Sequence, residues 1–125
     1  NDCNRLGNIG FEKITDSLNK YRSKIEWWSD SLGFPIPKLA IVAPPIIDEV
    51  VAHASFGDWF DGGTDKTKEI SNHLKTYANQ NSIPFIDLSK SIVVSKIDGI
   101  HLDINGNDQV ALKIQSQIKN IMENI

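Results

Sequence analysis

Lys38-Leu39-Ala40-Ile41-Val42-Ala43, shut off by Pro44-Pro45, is the stretch on which the fold turns. Its apolar run is too short for a stable helix, and Pro35 and Pro37 before it leave no room to extend one. A short apolar run bounded by prolines reads as a buried strand of the kind found in parallel sheets. Pro84-Phe85-Ile86-Asp87-Leu88 repeats the pattern and reads as a second strand. Outward from these two runs the spacing becomes helical. Phe11, Ile14, Leu18, Tyr21, Ile25, Trp28 and Leu32 mark a long amphipathic helix, broken by Gly33 and the Pro35/Pro37 pair. Thr64 can cap a second helix running to about Asn79, with Thr67, Ile70, Leu74 and Tyr77 along one side. Asp103 or Asn105 can cap a last helix, expected to be buried through Ala111, Ile114, Ile118, Ile121 and Ile125.

Between these elements lie looser segments. Residues 1–10 read as a loop, Ile46 to Ala54 as a turn of helix, and Phe56 to Gly63 as a glycine-rich aromatic loop. Residues 89–104 form a long connection. Strands alternating with helices imply a parallel sheet with helices on its faces. Two strands are few for such a sheet, so the pattern reads as the second half of an open α/β fold. Sites in these folds lie at the carboxyl ends of the strands. The start of the chain, the loop after Ala43 and the connection at 89–104 would gather there.

With 125 residues the chain is one domain at most. A formal net charge of -3 and a pI near 5.5 argue against nucleic-acid binding, which wants a basic stripe. The longest apolar run, Leu39 to Ala43, is far below the roughly 20 residues of a membrane span. Cys3 is the single cysteine, which excludes a disulfide framework and a thiolate metal cluster. A cytoplasmic location is the default expectation. Because the chain starts at Asn1 rather than Met, a targeting segment upstream is left open.

Asp98-Gly99-Ile100-His101-Leu102 carries the most chemistry. An aspartate three residues before a histidine can orient the imidazole and stabilise its cation, leaving the other nitrogen to act as a base. The same residues can equally be a histidine capping its own loop. Asn1-Asp2 offers an amide donor for an oxyanion, or ordinary turn chemistry. Glu49 and His53 at helical spacing read as a surface pair rather than two metal ligands, and His73 as part of a solvated face. Trp27, Trp28 and Trp59 read as core or wall residues, and Cys3 as a weak candidate nucleophile. No serine stands in Gly-x-Ser-x-Gly or Gly-Asp-Ser, and Gly62-Gly63 lacks the lysine of a phosphate loop. A base and its orienter are present without a marked nucleophile.

Taken together these blocks resemble the SGNH (GDSL-type) hydrolase family, most closely its bacterial arylesterase/acyltransferase branch. Asn1-Asp2 looks like the end of the family's Gly-x-Asn-Asp block, and Asp98-Gly99-Ile100-His101 like its Asp-x-x-His block before the last helix. Pro37 to Pro45 and Trp59 to Thr67 look like the same branch, so the resemblance runs through the whole chain in order. It implies a three-layer αβα flavodoxin-like sandwich with a parallel sheet, of which residues 1–125 are the C-terminal portion and the N-terminal strands are missing. It implies a serine esterase acting on small acyl or acetyl esters, without cofactor or metal. Asn1 would donate to the oxyanion, His101 would be the general base and then acid, and Asp98 would orient His101. Phe56, Trp59 and Phe60 are candidates for an apolar substrate pocket. The nucleophilic serine and an oxyanion glycine would lie on an upstream segment, so the isolated chain should be inactive. The edge left open at strand 38–43 should make it prone to form homo-oligomers. A flavodoxin-like binding or interaction module that kept the fold without the chemistry is the alternative.

Overall fold

The computed structural model describes Cys3 and residues 10–123. Four helices and two short strands follow in the order α1 (Phe11–Leu32), β1 (Ile41–Ala43), α2 (Glu49–Phe56), α3 (Gly63–Gln80), β2 (Phe85–Asp87) and α4 (Ile104–Glu123). A 3-10 turn, Gly57–Phe60, joins α2 to α3 where the sequence suggested only a loop. The arrangement is mixed α/β with a small parallel sheet. Val42 pairs with Ile86 and Ala43 with Asp87, and both strands run the same way. Each strand is three residues long, shorter than the runs that announced it.

Side chains alternate across the strands, so each face takes different helices. Ala43 packs with Ile70 and Leu74 of α3, and Ile14 and Leu18 of α1 close over them together with Ile41 and Phe85. Ile86, Leu88 and Ile92 meet Leu102 and, from α4, Val110 and Ile121. The third cluster, Ile47, Ala52 and Phe60, lies just past the carboxyl end of β1 and takes Ile100 against it. That cluster fixes the ground on which the 89–104 connection rests. A parallel bridge between Ile46 and Val93 carries the strand pairing on into both loops.

Helix ends show where local chemistry prevails. Gly33 ends α1 at φ +69°, its N–H turned back to Asp30 and Ser29, before the two prolines forbid more helix. α3 starts one residue earlier than its proposed cap: Gly62, at φ +74°, turns the chain, and Thr64 already lies inside the helix. The Thr64 hydroxyl donates to the Ile47 carbonyl at 2.8 Å, and the Thr64 N–H donates to Glu49 Oε2 at 3.2 Å. Thr64 therefore ties the first turn of α3 to that of α2. Asp103 caps α4 as read, its Oδ1 accepting from the Gly106 N–H at 2.7 Å.

The expected buried stripe of α4 is only half covered. Val110 and Ile121 pack on the Ile86 cluster and Ile114 is half-buried, whereas Ala111 and Ile118 stand exposed, and Ile125 lies outside the described residues. Trp27 and Trp28 also depart from the core reading: they touch edge to face at 5.0 Å and remain mostly exposed. His73 departs the other way. Its ring stacks on Phe11 at 5.0 Å and its Nε2 lies 2.8 Å from the Thr15 hydroxyl, so it joins α1 to α3 instead of facing water.

Candidate active site

Within the 89–104 connection, residues 95–101 fold into a tight turn closed by its own hydrogen bonds. The Ser95 N–H donates to the His101 carbonyl at 2.7 Å, and the Gly99 N–H donates to the Ser95 carbonyl at 2.9 Å. Asp98 organises the tip. Its Oδ1 accepts from the Ile100 and His101 N–H groups, both at 2.9 Å, and its Oδ2 lies 2.8 Å from His101 Nδ1. The aspartate side chain is 22 % exposed and the imidazole 74 %. Asp and His thus pair across three residues because the backbone turn brings the ring back over the carboxylate.

These contacts set the protonation state. The N–H of Ile100, then that of His101, then the imidazole hold the Asp98 carboxyl down at about 2. At neutral pH Asp98 is therefore an acceptor only, and the proton of a neutral ring must sit on Nδ1. Nε2 keeps its lone pair and has no hydrogen-bond partner among the described residues. An exposed, oriented imidazole with a free Nε2 is equipped to take a proton from a hydroxyl and to return it.

The depressed carboxyl also has a thermodynamic signature. A carboxyl lowered by folding contributes stability above its unfolded value of 3.8, and loses that contribution as pH falls through about 2. Urea midpoints measured at neutral pH and at about pH 3 should show this decline in the wild type and a reduced one in Asp98→Asn. Equal slopes for the two chains would show that Asp98 is not held in its ionised form by the fold.

The turn is moored to α2. The Asp48 N–H donates to the Gly99 carbonyl at 2.9 Å, and Ser55 Oγ donates to the Ile97 carbonyl at 3.3 Å. Lys96 Nζ meets Asp48 Oδ2 at 2.7 Å, while Asp48 Oδ1 caps α2 through the Val51 N–H. Gly99 adopts φ +71° and sits so close to α2 that no other residue fits there. None of these anchors stood out in the sequence. Asp48 before an apolar helical run is a cap signal, but nothing local connects it with Lys96.

Asn1 lies outside the described residues. Phe60 is buried against Ile47 and Ala52, with Ile100 packed on the same cluster, while Phe56 and Trp59 are partly exposed. Phe56 meets Phe60 edge to face at 5.5 Å. His53 turns to Asp61, 3.4 Å away, instead of Glu49. Cys3 packs against the Ile70 and Ile47 clusters and accepts a hydrogen bond from Thr67 at 3.5 Å. Among the described residues no three His, Cys, Asp or Glu side chains are grouped to hold a metal, and no helix is long and apolar enough to cross a membrane.

No protein-family model matches the chain, and no curated protein matches it. Solved structures do. A carbohydrate acetylesterase from Sinorhizobium meliloti superposes with a TM-score of 0.79 at 26 % identity, over 97 % of this chain and 57 % of that one. The aryl esterase of M. smegmatis superposes at 0.73 with 27 % identity, over 94 % of this chain and 56 % of its own. A further carbohydrate acetylesterase family member from S. meliloti shares the fold at a TM-score of 0.80 and 19 % identity. The chain spans a little over half the length of these proteins. Its sequence blocks, its fold and these neighbours agree in a likeness to the SGNH (GDSL-type) hydrolases.

Proposed function

We propose that this chain supplies the base and its orienter for a serine ester hydrolase acting on small acyl or acetyl esters. One observation carries the reading: Asp98 Oδ2 holds His101 Nδ1 at 2.8 Å while Nε2 stays open. In the proposed reaction Nε2 removes the proton of a serine hydroxyl as its oxygen bonds to the ester carbonyl carbon. The tetrahedral intermediate carries an oxyanion, to which the Asn1 amide donates together with a glycine N–H. The imidazolium, stabilised by Asp98, returns its proton to the leaving alcohol as the C–O bond breaks, and an acyl-serine remains. Water then attacks the acyl carbon with His101 again as base, and the released serine takes the proton back.

The serine and the glycine belong to an upstream segment, whose strands would pair with β1 and complete a three-layer αβα sandwich. Phe56, Trp59 and Phe60 are the proposed apolar side of the acyl pocket, Phe60 from beneath. Without that segment, the open edge of β1 favours association between copies. The acetylesterase and aryl esterase among the structural neighbours support the substrate class.

Hydrolysis of p-nitrophenyl acetate tests the reading. The 125-residue chain alone should give negligible turnover. Joining the N-terminal part of a neighbouring esterase ahead of Asn1 should restore it. Robust turnover by the chain alone, abolished by His101→Ala, would overturn the assignment of the nucleophile to another segment. A folded, completed domain that stays inert would favour the binding module.

A further inference from the structure

The Asp98–His101 turn is not held in place by its own bonds alone. Its orientation depends on the first turn of α2, and Asp48 is where the connections converge. The Asp48 backbone N–H reaches the turn through the Gly99 carbonyl at 2.9 Å. Its Oδ1 caps α2 through Val51 at 3.3 Å, and its Oδ2 receives Lys96 Nζ at 2.7 Å. One residue thus starts a helix, bonds the backbone near the histidine, and grips a side chain at the opposite flank of the turn. Two clamps set apart along a short loop fix both its position and its tilt. Without Lys96 the turn would keep only the Gly99 bond and the longer, exposed Ser55–Ile97 bond at 3.3 Å.

We propose that Asp48, with Lys96, is a positioning residue for the Asp98–His101 pair, acting through the loop and touching no substrate. The inference deepens the hydrolase reading and rests on it for its catalytic meaning, but its physical content is a property of the folded chain. Lys96 clamps the ascending limb of the turn against α2, so that Asp98 meets the ring at Nδ1. Loss of the clamp lets the limb swing and weakens that contact, while β1, β2 and α3 keep their packing.

The tautomer of His101 reads this directly, through long-range nitrogen–proton NMR correlations on the 125-residue chain under conditions where the ring is neutral. The wild type should hold its proton mainly on Nδ1. Asp48→Asn retains a good helix cap but removes the charge that attracts Lys96, and Lys96→Met removes the partner from an exposed position. In both, the ratio of Nδ1–H to Nε2–H ring should fall by roughly threefold or more, the effect of losing one ordinary hydrogen bond. Lys96→Arg should restore it.

A purely structural role for Asp48 would move the urea midpoint and leave the tautomer ratio unchanged. Wild-type ratios in Asp48→Asn and Lys96→Met would overturn the proposal, as would a wild-type ring without preference for Nδ1. Should Asp48→Asn fail to fold, Lys96→Met decides alone. A completed domain that is inert while the tautomer still responds would count against the hydrolase reading and leave the positioning role standing.

Discussion

Gly99→Ala should be the most damaging single change near the site. An added Cβ would lie 2.3 Å from the Asp48 carbonyl oxygen and 2.7 Å from the Ala52 nitrogen, both backbone atoms of a capped helix that cannot turn aside. The residue also sits at φ +71°, where a Cβ is disfavoured before any contact is counted. The conformational cost is about 1 kcal/mol and the overpacking adds about 2 kcal/mol, so a loss near 3 kcal/mol is expected. The loss need not fall on the whole chain. The turn has an easier escape: it can lift from α2, giving up the Asp48–Gly99 and Ser55–Ile97 bonds. Urea denaturation together with amide exchange at residues 95–101 separates the two outcomes. A midpoint and exchange rates equal to wild type would mean that α2 and the turn are not in contact. The same substitution at Gly33 meets open space and carries only the conformational term.

What could be read from the sequence follows from the range of the interactions concerned. α1 and the buried side of α3 were legible because Phe11 to Leu32 and Thr67 to Tyr77 repeat at helical spacing, a relation between near neighbours. The strands were legible because prolines bracket them. The Asp98–His101 bond was legible for the same local reason, since both partners and both supporting N–H groups lie within four consecutive residues. Periodicity identifies which residues share a face but not whether anything covers it. Trp28 and Ile118 fall on apolar stripes and stand exposed, and His73 falls on a polar stretch and lies under Phe11. The anchors of the turn are more than forty residues away from it, as Asp48 is from Lys96 and Ser55 from Ile97, and no local pattern couples them. Gly62 displaced the Thr64 cap because a left-handed glycine can start the helix two residues earlier.

In a domain completed by its nucleophile, His101 and Asp98 should fail in different ways. His101→Ala removes the only group proposed to move the proton, and kcat should fall by about 10^6, as when a triad loses its base. Asp98→Asn is subtler. The amide oxygen can still accept from the Ile100 and His101 N–H groups, so the turn survives. Its NH2 then faces Nδ1 as a donor, which forces the ring proton onto Nε2 and leaves no lone pair for the serine. The expected loss is about 10^4 in kcat with KM little changed, because the error is in proton placement and not in substrate contact. Asp98→Ala should do worse than Asp98→Asn in stability, having lost the two backbone bonds as well, and comparably in rate. Measuring kcat and KM for the three variants, with urea midpoints alongside, distinguishes orientation from mere structural support. An Asp98→Asn enzyme within about tenfold of wild type would mean that the carboxylate builds the turn and that His101 needs no orienter.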